Sequence, residues 1–315
     1  MKENMKNRFE TILGQDRILM EEPMKKHTTF RLGGPADFFL CPSDVNQIPE
    51  IIHICREEGI PWFVLGNGSN LLVSDQGYRG VVIQIYKNMN QITVEGTRIY
   101  AQAGALLSAV SKKAMEAGLT GMEFASGIPG TLGGAAVMNA GAYGGEMKDI
   151  LVSVTVLTDE GEQKVLKAEE LNLGYRTSII KERGYIVLDG VLQLQAGNRD
   201  AIKTRMEELK VQRVTKQPLE YPSAGSTFKR PEGYFAGKLI EDAGLRGYRV
   251  GGAQVSEKHC GFVINTGDAA TSDVVQLIHN VQNIIWNKFK VKLEPEVKVL
   301  GDFTEMSEWV WHQKV

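Results

Sequence analysis

The sequence predicts an α+β fold divided among several domains, and three observations carry that expectation. The chain has 315 residues, longer than one hydrophobic core usually serves. Two alternating stretches double back on themselves about Glu-Gly turns, the mark of antiparallel hairpins. Helical periodicity appears apart from them, without the regular strand–helix alternation of a parallel sheet.

In chain order, RLGGPADFFL (31–40) reads as a turn leading into a strand. Over 46–59, Ile48, Ile51, Ile52 and Cys55 fall at helical spacing and Gly59 supplies the stop. Pro49 then has to sit in the first turn, so the helix starts near Asn46. PWFVL (61–65) and GVVIQIY (80–86) read as strands on either side of the loop GNGSN (66–70). A second region holds a hairpin over 92–104, a helix over 106–118 and a hairpin over 151–166 about Asp-Glu-Gly. A strand over 185–195 follows. Between these lies a long small-residue segment, FASGIPGTLGGAAVMNAGAYGGE (124–146). The third region opens with a polar helix near 199–216 carrying Ile202, Met206 and Leu209 on one stripe. Pro218 and Pro222 break the chain ahead of YPSAGSTFKRP (221–231), which reads as a turn. Over 272–288, Val274, Leu277, Ile278, Val281 and Ile285 share a face. In VKLEPEVKV (291–299), apolar and charged residues alternate as on a strand. The division expected is 1–87, 88–200 and 201–303, with a tail over 304–315 to which no role is given.

Charge sets further limits. Lys and Arg number 36 against 38 Asp and Glu, so no basic field invites nucleic acid. The segment MKENMKNRFE lacks an apolar region, so no signal peptide is expected, and no run is long enough to span a membrane. Cys41, Cys55 and Cys260 are odd in number and widely spaced, which points to a reducing cytoplasm and to buried thiols. The histidines show no metal-ligand spacing, so no metal is expected.

Four segments could carry chemistry. In GNGSN, successive glycines can turn several backbone N–H groups into one concavity that suits phosphate, and Ser69 and Asn70 add donors. Taken alone, a Gly-rich connection between strands is more often a turn. The segment 126–145 interleaves Ile128, Leu132, Val137, Met138 and Tyr143 with Gly and Ala, unlike a flexible linker. Close backbone approach to a ligand explains that composition, and two such segments point to a dinucleotide. In GYRTS (174–178), Arg176 is either a surface cation or a clamp for carboxylate or phosphate. Glu294 and Glu296 fit either a solvated face paired with Lys292 and Lys298 or a functional pair. Ser226 is either a turn residue or a reactive hydroxyl.

These stretches resemble the UDP-N-acetylenolpyruvoylglucosamine reductases, the MurB family, in its shorter type II form. The resemblance runs from about His27 to Gly301 through HTTFRLGGPAD, VLGNGSNLLV, GMEFASGIPGTLGGA, NAGAYGGE, GYRTSI, AGSTFKRP, AGKLIEDAGLRG, VSEKHCGFVIN and LEPEVKVLG. It implies a two-part FAD-binding region of the vanillyl-alcohol-oxidase/PCMH-like type, followed by an α+β substrate domain. It also implies that NADPH reduces non-covalent FAD, which then reduces UDP-N-acetylglucosamine enolpyruvate to UDP-N-acetylmuramate for peptidoglycan synthesis. The resemblance further implies that hydride passes from flavin N5 to the substrate's terminal methylene.

By motif, Arg176 would hold the substrate carboxylate, Ser226 would donate the proton, and Glu296 would stabilise the enolate-like intermediate. FAD contacts are expected from Gly66, Asn67, Gly68, Ser69 and Asn70. A second set is expected from Ser126, Gly127, Ile128, Pro129, Gly130, Gly133, Gly134, Asn139 and Gly141. Tyr175, Arg213, Lys216, Lys229, Arg230, Gln254 and Lys258 are candidates for the substrate and its diphosphate. A cytoplasmic monomer is expected. The alternatives are another FAD-dependent oxidoreductase of the same superfamily, a silent nucleotide-binding module, or a serine hydrolase, for which no His-Asp partner pattern is visible.

Overall fold

The computed structural model describes residues 2–303, so the tail over 304–315 lies outside the described residues. Eight α-helices are described: α1 (Lys2–Leu13), α2 (Gln47–Glu57), α3 (Leu107–Glu116), α4 (Leu132–Met138), α5 (Ile179–Arg183), α6 (Arg199–Lys216), α7 (Ala236–Asp242) and α8 (Thr271–Phe289). The chain forms two compact units, each assembled from separated segments. Met1–Leu19, Phe39–Asn67 and Val81–Arg213 make the first; Met20–Phe38, Gly68–Gly80 and Val214 onward make the second.

The core of the first unit is a five-stranded antiparallel sheet. Its strands run in the order Gln163–Lys167, Leu151–Leu157, Ile186–Gln193, Arg98–Gln102, Ile92–Glu95. Both expected hairpins are therefore present, as its two outer pairs. Trp62–Leu65 pairs in parallel with Val81–Gln84. Packed against the five-stranded sheet, α4 starts at Thr131, whose hydroxyl accepts the Gly134 N–H at 3.4 Å. This helix was hidden in a run that sequence assigns to close backbone approach. The approach is there as well: the Gly133 N–H donates to the Ala103 carbonyl at 2.9 Å. A Cβ on Gly133 would stand 3.0 Å from that of Ala103. α1 is a further element the sequence concealed. Its buried face is only Met5, Phe9 and Leu13, spaced four apart among charged residues.

The second unit holds a four-stranded antiparallel sheet in the order Ser223–Ser226, Phe262–Asn265, Ala253–Val255, Arg249–Val250. α8 buries its predicted stripe of Val274, Leu277, Ile278, Val281 and Ile285 in a core shared with Ile240, Val263 and Leu293. Leu293 and Val297 are buried while Lys292 and Glu294 are exposed, as alternation predicts, but regular pairing starts only at Lys298, where Lys298–Leu300 runs parallel to Leu71–Val73. Pro295 lacks a backbone donor and makes only an isolated bridge to Phe228. Among the described residues, no helix is long and apolar enough to cross a membrane.

Candidate functional site

In the first unit the two glycine-rich segments meet. The Asn67 side-chain amide donates to the Pro129 carbonyl at 2.6 Å. The space a Cβ on Gly66 would need is filled by the Thr131 hydroxyl, 2.6 Å from that position. Residues 66–67 and 126–134 thus form one backbone-lined region, and Gly127, Pro129 and Gly134 are exposed on it. Half-buried Ser126 donates its hydroxyl to the Glu123 carbonyl at 2.8 Å. Small residues that leave backbone exposed at Gly127 and Gly134 suit a pyrophosphate and a flat ring system, so these residues fit FAD. Thr131, which both caps α4 and fills the space over Gly66, was not among the expected contacts. Its signal is that of an N-cap, a threonine directly before a helix, which can be read only once α4 is recognised as helical.

Arg213 lies in this same region. Its guanidinium stands over the Tyr143 ring at 5.8 Å from the centroid. It also occupies the space above Gly127, its Nε 2.7 Å from where a Cβ would be. Burial lowers its pKa below the usual guanidinium value. Arg176 sits in a tight turn closed by Gly174 and Thr177, each donating to the other's carbonyl, at 3.1 and 3.4 Å. Its guanidinium lies 5.1 Å from the ring centroid of exposed Tyr175. Asn139 ends α4 in the left-handed region. Its side-chain amide donates to Glu146 Oε2 at 2.7 Å and to the Gly174 carbonyl at 3.0 Å. Gly141 pairs with Glu146 in a two-residue ribbon just beyond.

In the second unit, Ser226 and Glu296 come together through Thr227. The Glu296 N–H donates to the Thr227 carbonyl at 2.8 Å, and the Thr227 N–H donates to the Gly261 carbonyl at 2.8 Å. The Thr227 hydroxyl accepts the Val263 N–H at 2.9 Å. YPSAGS is not simply a turn. Ser223–Ser226 is a short strand with one extra residue between Ser223 and Ser226, a bulge made possible by Gly225 at φ 78°. The bulge leaves Ser226 exposed beside buried Thr227. The segment 68–70 joins this constellation: the Asn70 amide donates to the Glu296 carbonyl at 3.2 Å. Ser69 is half-buried between Gly68 and Asn70.

The remaining candidates spread over the second unit. Lys229 pairs with Glu294 at 3.0 Å, and Arg230 stacks on the exposed Phe235 ring at 4.0 Å. Lys258 reaches Glu220 at 3.5 Å, Gln254 donates to the Gly247 carbonyl at 3.3 Å, and Lys216 is exposed at the end of α6.

His259 borders the Ser226 segment. Its Nδ1 accepts the Gly261 N–H at 3.0 Å, and its ring packs edge-on against Phe262 at 5.0 Å. Burial pushes its pKa below the ordinary imidazole value of 6.5. Since the unfolded chain binds this proton more readily, the stability involved is full above pH 6.5 and is lost as pH falls through the lower folded value. Protonation also removes the acceptor for Gly261. His259→Asn is therefore expected to lose less thermal stability than wild type on acidification from pH 7.5 to 5.5, read as Tm against pH; equal losses would exclude the assignment.

The comparisons with known proteins bear on both units. The family model for an FAD binding domain matches residues 36–167. The model for the C-terminal domain of UDP-N-acetylenolpyruvoylglucosamine reductase matches 217–300. The chain is 58% identical over 303 residues to the UDP-N-acetylenolpyruvoylglucosamine reductase of Agathobacter rectalis, covering 92% of this chain and 96% of that one. It is 54% identical over 291 residues to the protein of that name from Clostridioides difficile, again covering 92% and 96%. The crystal structure of the Thermus caldophilus reductase superposes with a TM-score of 0.77 at 37% identity, covering 90% of this chain and 98% of that one.

Proposed function

The chain belongs to the UDP-N-acetylenolpyruvoylglucosamine reductases, a family of FAD-dependent oxidoreductases, and from that premise we propose that it reduces UDP-N-acetylglucosamine enolpyruvate to UDP-N-acetylmuramate at the expense of NADPH. Bound non-covalently at the glycine-rich segments, FAD would supply the hydride chemistry that links NADPH to addition at the terminal methylene of the enolpyruvyl ether. The chain's residues manage the charge and the proton. Addition at the methylene places an electron pair on the neighbouring carbon and, by delocalisation, on the carboxylate. Arg176 pairs with that carboxylate through its guanidinium fork and offsets the added charge. Glu296 stabilises the enolate-like intermediate, and Ser226 gives its proton to the carbon, which leaves the lactyl ether. A hydroxyl is a weak acid, but a carbanionic carbon is a strong base, so the transfer is feasible at hydrogen-bond distance.

The backbone bond from Glu296 to Thr227 carries this reading. It holds the segments of the proposed acid and the proposed carboxyl group side by side within the residues that match the reductase C-terminal domain. Residues 66–70, 126–130, Gly133, Gly134 and Gly141 are proposed to hold FAD; Asn139, expected among them, instead commits both side-chain amide hydrogens to Glu146 and Gly174. Tyr175, Arg213, Lys216, Lys229, Arg230, Gln254 and Lys258 remain proposed contacts for the sugar nucleotide. The division into 1–87, 88–200 and 201–303 is proposed to separate two flavin-binding parts from a substrate part. We further propose a cytoplasmic monomer serving peptidoglycan synthesis. The three free thiols, two of them buried, are compatible with that compartment.

The test uses the flavin as its own indicator. NADPH added without oxygen should bleach the flavin band, and the enolpyruvyl sugar nucleotide should restore it. A band that stays bleached after the second addition, but recovers with a hydroxyl-substrate's oxidised product, would favour a different oxidoreductase of the superfamily.

A further inference from the structure

We infer that Asn139 is a positioning residue that holds the Arg176 turn in register with the end of the glycine-rich segment. The inference rests on the roles proposed above for Arg176 and the substrate carboxylate. Arg176 adopts φ 57°, in the left-handed region that a residue with a Cβ seldom occupies. Asn172, four residues earlier in the same loop, does so as well at φ 46°. Such a conformation persists only where the surroundings impose it.

The restraints are specific. Gly174, at the base of the turn, offers its carbonyl to the Asn139 amide at 3.0 Å. Asn139 is itself left-handed, at φ 42°, and its side chain is buried. Its second N–H goes to Glu146 Oε2 at 2.7 Å, and its Oδ1 accepts the Lys148 N–H at 2.9 Å. Both amide hydrogens are thus committed to protein acceptors, and a side-chain amide has no third. On the far side of the turn, the Ser178 hydroxyl donates to the Val137 carbonyl at 2.7 Å, a second tie to α4. Lys181 Nζ donates to the Arg176 carbonyl at 3.3 Å. Asn139 and Ser178 therefore clamp the turn from both ends onto the last residues of α4. The segment assigned to flavin by composition works through Asn139 as the seat of the substrate arginine.

Asn139→Gly removes the side chain and keeps a residue suited to the left-handed backbone. FAD affinity of the apoprotein should stay within about twofold of wild type. Binding of UDP-N-acetylmuramate, which bears the carboxylate, should weaken about tenfold or more, as misplacement of a positioned group predicts. Binding of UDP-N-acetylglucosamine, which lacks the carboxylate, should be unchanged. In an Arg176→Ala background the same substitution should add nothing, since it acts through that guanidinium. An equal loss for both sugar nucleotides, additivity with Arg176→Ala, or a large loss of FAD affinity would overturn the proposal. Should Asn139→Gly fail to fold, Ser178→Ala is read in the same way, and unaltered carboxylate discrimination there would overturn it too. Wild-type protein that does not discriminate the two nucleotides would count against the proposed function itself.

Discussion

Ser226→Ala should leave reduction by NADPH near the wild-type rate and slow reoxidation by the enolpyruvyl substrate by about 10³-fold, within the range a general acid supplies. The two halves separate because only the second needs a proton on carbon. The substitution is structurally mild. Ser226 is exposed, and its pairing with Phe262 runs through the backbone, which alanine keeps. Thr227 retains its bonds to Gly261, Glu296 and Val263. Anaerobic stopped-flow mixing at the flavin band resolves the halves. Comparable slowing of both would mean that the serine supports the flavin and is not the acid.

Gly68→Ala is expected to abolish stable flavin binding and to lower Tm by on the order of 10 °C. Two costs add. Gly68 has φ 62°, where a Cβ costs about 1–2 kcal/mol. A Cβ there would also overlap the His27 carbonyl oxygen and stand 3.0 Å from Thr28 Cα, both backbone atoms that cannot rotate aside. Relief means displacing residues 68–70 and with them the bond from the Thr29 N–H to the Gly68 carbonyl, 3.1 Å. Gly96→Ala serves as the control. It shares the backbone conformation, φ 59°, but has open space around it, so it should cost only the conformational part. Flavin absorbance after gel filtration and calorimetric Tm read both variants. If Gly68→Ala and Gly96→Ala lost the same stability and both retained flavin, the crowding argument would fail.

Much of this architecture could be read from residue order because burial imposes a period. The hairpins over 92–102 and 151–167 and the stripe of α8 each bury one face against a sheet or core, and one face is what alternation or helical spacing records. α1 escaped because three apolar residues among charges carry too little periodic signal. α4 escaped for the opposite reason: its Gly133 packs closely against Ala103, and a run of glycines and alanines also describes a ligand loop. The residues of the proposed site were legible as motifs, whereas their partners were not. That Thr227 joins the Ser226 and Glu296 segments follows from a backbone bond between residues far apart in the chain. That Asn139 serves the turn at Gly174 follows from a contact 35 residues distant. Single-chain pattern reading has no access to either.

The interleaving of the two units bears on how the chain is made. Phe30, Leu32 and Leu72 belong to the same hydrophobic core as Leu293 and Val297. Translation proceeds at about 5–20 residues per second. The early segments therefore emerge on the order of ten to fifty seconds before the residues that will cover them. Throughout that interval the nascent chain carries apolar side chains whose partners are not yet synthesised. The segments Met20–Phe38 and Gly68–Gly80 are accordingly where a ribosome-associated chaperone would have most to shield, and a fragment ending at Arg213 would leave them permanently uncovered.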